Sequence, residues 1–78
     1  MGWNYRIFEN DKGDEKYYSI REVYYTDDNE IRDYTKDDIT PYGETPEVLF
    51  EVLEMMLKDA KKTKHDILTK NTKTIGWD

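Results

Sequence analysis

Apolar residues alternate with polar ones in the first third of this 78-residue chain, and near position 46 the spacing becomes helical. In WNYRIFE, Trp3, Tyr5 and Ile7 fall on one side of an extended backbone and Asn4 and Arg6 on the other, so the period predicts a strand over Trp3 to Glu9. The polar run NDKGDEK around Gly13 reads as a hairpin loop. YYSIREVYYT is rich in Tyr, Ile and Val and predicts a second strand over Tyr17 to Thr26. Its alternation is imperfect, because Tyr18, Ile20 and Tyr24 share one parity and Tyr17, Val23 and Tyr25 the other. Two arrangements satisfy this pattern. A bulge near Arg21-Glu22 would bring Ile20 and Val23 to one face, which is the preferred reading; the alternative is a central strand covered on both sides.

DDNE, Asp27 to Glu30, has the composition of an Asx turn, and EIRDYT predicts a short, charged edge strand. A long loop, KDDITPYGET, follows. Thr45-Pro46-Glu47 then opens a helix: Thr45 suits the N-cap, proline tolerates the first turn, and glutamate favours the positive helix end. The helix is expected from Pro46 to Lys62. Beyond Lys61 the periodicity weakens. This segment is either mobile or adds a short strand over His65 to Thr69, with Ile75 and Trp77 free to dock. The expected fold class is α+β: a three-stranded antiparallel sheet with one long helix packed on one face. A single β-β-β-α domain would occupy residues 1–62 and a basic C-terminal tail residues 63–78.

The helix carries more apolar surface than such a sheet needs. Placed at 100° intervals, its large apolar residues sweep an arc of about 220°, interrupted only by Asp59, whereas a surface helix needs a stripe of somewhat more than ~100°. Either the sheet curls and the C-terminal residues Ile67, Leu68, Ile75 and Trp77 cover the surplus, or part of the arc is an interface with another protein or with itself. In the second case Phe50 and Leu57, or Val48 and Met55, would be exposed. The adaptable thioethers of Met55 and Met56 fit an interface loosely.

Composition narrows the function. The net charge is −6, unevenly placed: residues 1–57 balance at −9 and residues 58–78 at +3. The body repels phosphates and only the tail attracts them, so nucleic-acid binding is a secondary reading carried by the lysines of KKTKHDILTKNTK. That tail lacks the interleaved aromatics and arginines of a single-strand binder. An acidic body imitating nucleic acid, a device of small phage-encoded inhibitors, is a further reading of the same charge. Cysteine is absent, which excludes disulfides and thiolate metal sites. No run approaches a membrane span and the N-terminus does not read as a secretory signal, so the expected location is cytoplasmic.

No constellation for chemistry emerges. DDNEIRD has Asp27 and Asn29 at alternating positions, but Ile31 stands where a calcium loop needs a ligand and no glycine follows. His65 is the only histidine and has no nucleophile or orienting group at a suitable spacing. The four glycines are scattered and form no phosphate cradle. The expectation is therefore no catalytic residue, metal, cofactor or small-molecule substrate.

Seven tyrosines in so short a chain do need explaining. In a strand, neighbours point to opposite faces, so the Tyr17-Tyr18 and Tyr24-Tyr25 pairs each place one ring inward and one outward. The inner rings enlarge a thin core. The outer ones either pair across strands or form a flat aromatic face suited to protein contact. The candidate partner-binding residues are Tyr17, Tyr25 and Tyr34 on the sheet, with Phe50, Met55 and Leu57 on the helix.

Three motifs then stand out: Trp3-Asn4-Tyr5-Arg6, Glu22-Val23-Tyr24-Tyr25-Thr26-Asp27, and Gly43-Glu44-Thr45 leading to Glu47 and Leu49. With them the chain resembles a family of short, uncharacterised bacterial and phage proteins over roughly residues 3–58. The resemblance implies no activity; occurrence on mobile elements is compatible with a role against or within host defence. Together these readings lead to the expectation of a small non-catalytic protein-binding module, an inhibitor or regulator of phage type, acting through an acidic tyrosine surface or the surplus helix edge.

Overall fold

The computed structural model describes residues 2–77. Met1 and Asp78, the outer limits of the expected domain and tail, lie outside the described residues. The elements in chain order are β1 (Gly2–Lys12), β2 (Glu15–Tyr25), β3 (Ile31–Tyr34), α1 (Pro46–Lys62) and β4 (Leu68–Thr69). The class is α+β. The sheet corrects the expected three antiparallel strands: it has four, in the order β3-β2-β1-β4, and β4 runs parallel to β1.

The hairpin is longer than its composition suggests. Pairing runs unbroken from Gly2↔Tyr25 to Lys12↔Glu15, so only Gly13 and Asp14 form the loop. Gly13 has φ of 66°, the left-handed value that the first position of a two-residue II′ turn requires. The polar residues flanking it are strand residues solvated on both faces, because the hairpin tip extends past the core. The expected bulge at Arg21-Glu22 is also absent. The irregularity lies between Tyr24 and Tyr25, against β3. Ile20 and Val23 therefore stay on opposite faces, and β2 is the central strand covered from two sides.

The principal core lies on the face that carries the odd-numbered residues of β2. Phe8, Val23 and Leu68 form it, with Tyr25, Ile31 and Tyr34 packed around them. Leu68 reaches this core because β4 sets it beside Phe8. Arg6 is buried on the same face. It donates to the Tyr25 hydroxyl at 2.8 Å and to the Asp66 carbonyl and carboxylate at 2.8 and 2.9 Å, which fixes the segment entering β4. After β4 the chain passes Tyr34, whose hydroxyl donates to the Lys70 carbonyl. It ends on the free edge of β3, where the Ile75 and Gly76 N–H groups donate to the carbonyls of Ile31 and Arg32. Residues 63–77 thus cross from one edge of the sheet to the other.

Helix α1 packs on the opposite face, principally against β1. Its start follows the capping chemistry: Thr45 Oγ1 accepts from the Val48 N–H at 3.1 Å, with Pro46 and Glu47 in the first turn. Its end is held by Thr63, whose N–H and hydroxyl both reach the Asp59 carbonyl. Asp59, the one break in the apolar arc, accepts the Tyr5 N–H through its carboxylate at 3.0 Å. A donor of β1 that no strand pairs is satisfied by the helix instead.

Candidate functional site on the outward face of the helix

The inward stripe of α1 is narrow. Met56 is its only buried side chain, at 7% exposure, flanked by half-buried Leu49, Val52, Asp59 and Ala60. These residues recur at intervals of three and four, the spacing of a single packed seam. A second apolar line runs beside it at the same spacing: Pro46, Phe50, Leu53 and Leu57. Here Phe50 is 62% exposed and Leu57 56%, and Leu53 is exposed between them. On the other flank of the inward stripe, Val48 and Met55 are exposed as well.

The surplus stays open because the C-terminal segment goes elsewhere. Leu68 enters the core of the far face, while Ile75 and Trp77 lie along β3. The Trp77 indole donates to Asp33 at 2.9 Å and its ring lies under the Arg32 guanidinium, 5.0 Å from the centroid. The reading in which these residues cover the helix is thereby corrected.

The six sequence-derived positions separate into two groups. Phe50, Met55 and Leu57 are exposed on α1. Leu53 joins them; its equal place in the wheel was the signal for it. Of Tyr17, Tyr25 and Tyr34, only Tyr17 is exposed, on the projecting hairpin. Tyr25 and Tyr34 are half-buried in the principal core: Tyr25 bonds to Arg6 and Asn4, and the Tyr34 ring lies 4.9 Å from that of Phe8. The expected free aromatic face is therefore a packed one, with the C-terminal segment across it.

Around the outward line the charges are sorted along the helix. Glu47, Glu51 and Glu54 rim the N-terminal part, and Lys58, Lys61 and Lys62 the C-terminal part. Among the described residues none of these six forms an ion pair. Two open depressions lie between the side chains: one of about 420 Å³ around Phe50 with a glutamate rim, and one of about 250 Å³ around Leu57 with a lysine rim.

The remaining polar features are structural. A crevice of about 330 Å³ beneath the hairpin is lined by Asn10, Tyr17, Arg21 and Lys70, among others. Arg21 there bonds to the carbonyls of Thr35 and Lys36 and to Asn10, and stacks over the Phe8 ring. Its guanidinium ties the long loop to the sheet. Tyr24 donates to the Glu22 carboxylate at 2.6 Å; this bond, with desolvation and the neighbouring negative charge, pushes its phenol up to about 12. Burial raises the Tyr5 phenol too, with Glu22 and Asp59 adding to the effect. Both phenols are held neutral. His65 is exposed in the turn after α1. Among the described residues no three His, Cys, Asp or Glu side chains are grouped to hold a metal ion, and no helix is long and apolar enough to cross a membrane. The lysines expected to act as one tail are divided between α1 and the segment that crosses the far face.

No protein-family model matches the chain, and neither a curated protein nor a solved structure shows significant similarity to it.

Proposed function

We propose that this chain is a small, non-catalytic protein-binding module, an inhibitor or regulator that acts by occupying a partner through the outward face of α1. One observation carries this reading: Phe50, Leu53 and Leu57 form a continuous apolar line on a well-capped helix, and none of the described residues covers it. Leaving such side chains in water forgoes roughly 1.5–3 kcal/mol each relative to full burial, a cost that an interface recovers. The acidic rim of Glu47, Glu51 and Glu54 adds selectivity rather than affinity.

The nucleic-acid reading has less support, because the division of the lysines between two surfaces leaves no continuous basic track.

Photo-crosslinking tests the proposal. A benzophenone side chain placed at position 50 or 57 should capture a protein in cells that make the chain, and one placed at exposed Asp37 should not. Equal capture at all three positions, or none at 50 and 57, would remove the basis for the module reading.

A further inference from the structure

The partner surface follows from the two kinds of order on α1. We propose that the outward line of α1 binds the same line of a second copy, with the two helices antiparallel about a two-fold axis near Glu54-Met55. The inference rests on the module reading and names its occupant.

The first argument is periodicity. Pro46, Phe50, Leu53 and Leu57 follow one another at intervals of four, three and four. Such spacing seats a helix on a packed neighbour, as the inward stripe is seated on the sheet. The open depressions beside Phe50 and Leu57 leave room for a partner's side chains.

The second argument is charge. Interaction with the helix dipole accounts for Glu47 in the first turn and Lys61 and Lys62 in the last, but it fades within one turn. Glu51, Glu54 and Lys58 lie beyond its reach. Within one helix the arrangement is costly, since Glu47–Glu51 and Lys58–Lys62 are like-charge pairs four residues apart. Between two antiparallel helices the order becomes complementary at the positions that flank the line: Glu47 meets the partner's Lys61, twice over by symmetry. Glu54 lies near the axis and faces the partner's Glu54, so the two Glu47–Lys61 end pairs set the orientation against one like-charge contact at the centre. A parallel pair would set these charges against the partner's Leu49 and Met56 and leave them unpaired. Exposed pairs of this kind fix orientation more than affinity.

The third argument is size. Seventeen helical residues give a seam about 25 Å long. That is small for a stable interface, so the dimer is expected to be weak, with a micromolar dissociation constant.

Single-cysteine variants decide orientation, since the natural chain has no cysteine. Glu47→Cys and Lys61→Cys, mixed and oxidised, should form mostly the mixed disulfide, several-fold above either self-disulfide. A predominance of self-disulfides would overturn the antiparallel arrangement. Light scattering on the unmodified chain from about 1 µM to about 1 mM should show the mass climbing from 9.4 kDa toward twice that value. Glu47→Lys/Glu51→Lys and Lys58→Glu/Lys61→Glu should each stay monomeric alone and associate when mixed. Monomers throughout would overturn the second copy as occupant. If positions 50 and 57 still capture a different protein in cells, the module reading survives that result; if they capture nothing, both fail together.

Discussion

Tyr5 and Asp59 are 54 positions apart in sequence, and the backbone N–H of the first donates to the carboxylate of the second at 3.0 Å. This bond places the helix. It explains why a carboxylate interrupts an otherwise apolar arc, and it turns α1 so that Met56 faces the sheet and Phe50 faces water.

Removing that carboxylate should loosen the fold measurably. A hydrogen bond to a charged group is worth about 1.5–3 kcal/mol, and Asp59 is half-buried, so Asp59→Ala should cost about 1–2 kcal/mol in urea unfolding. Asp59→Asn, which keeps an acceptor, should cost less. Equal losses for the two would mean that the bond contributes little.

Gly43 makes a second contact with the helix start. A β-carbon there would collide with the Leu49 backbone nitrogen, so the loop touches the first turn where no side chain fits. Gly43→Ala should cost about 1–3 kcal/mol, the range of overpacking. The change would also be read as loss of helical ellipticity if the first turn opens. A neutral result would contradict the close approach.

The C-terminal segment should be protected from exchange at defined amides. Ile75 and Gly76 donate to β3 carbonyls, so their N–H groups should exchange more slowly than that of Lys73. Exchange at the free-peptide rate would contradict the docking. Gly76 has φ of 85°, so Gly76→Ala should destabilise by about 1 kcal/mol through strain.

Tyr24 gives the fold an alkaline limb. Its folded-state pKa is raised from 10.0 to about 12 by the bond to Glu22, so the neutral phenol is favoured in the folded state. The resulting stabilisation is fully present below pH 10 and is lost as pH rises from there toward 12. Ultraviolet titration should show the Tyr24 phenol, with that of Tyr5, ionising late, and Tyr24→Phe should flatten the loss of stability over that interval. A wild-type limb unchanged by the substitution would assign it to other groups.

Several of these features could be read from the sequence and others could not, for physical reasons. The helix limits, Pro46 and Lys62, were legible because Thr45, Pro46 and Glu47 each act locally. The surplus arc was legible because helical period needs no tertiary knowledge. β4 was legible only as one alternative, a short strand over His65 to Thr69, because two residues carry no period and Leu68 is strand through its place beside Phe8. The hairpin was misjudged since solvated strand residues have the composition of a loop. Tyr25 and Tyr34 were placed outward because parity assigns a side but does not say which side is covered. That was decided by residues 63–77, whose path over the sheet rests on single long-range bonds such as Arg6 to Asp66.

The outward face of α1 is the centre of this account, and methyl NMR on dilution addresses it most directly. If the line is an interface between copies, the methyl signals of Leu53 and Leu57 should shift progressively from about 1 mM to about 10 µM. Those of Val23 and Leu68, buried in the core, should stay fixed over the same range. Signals of Leu53 and Leu57 that stay as still as those of the core at every concentration would contradict it.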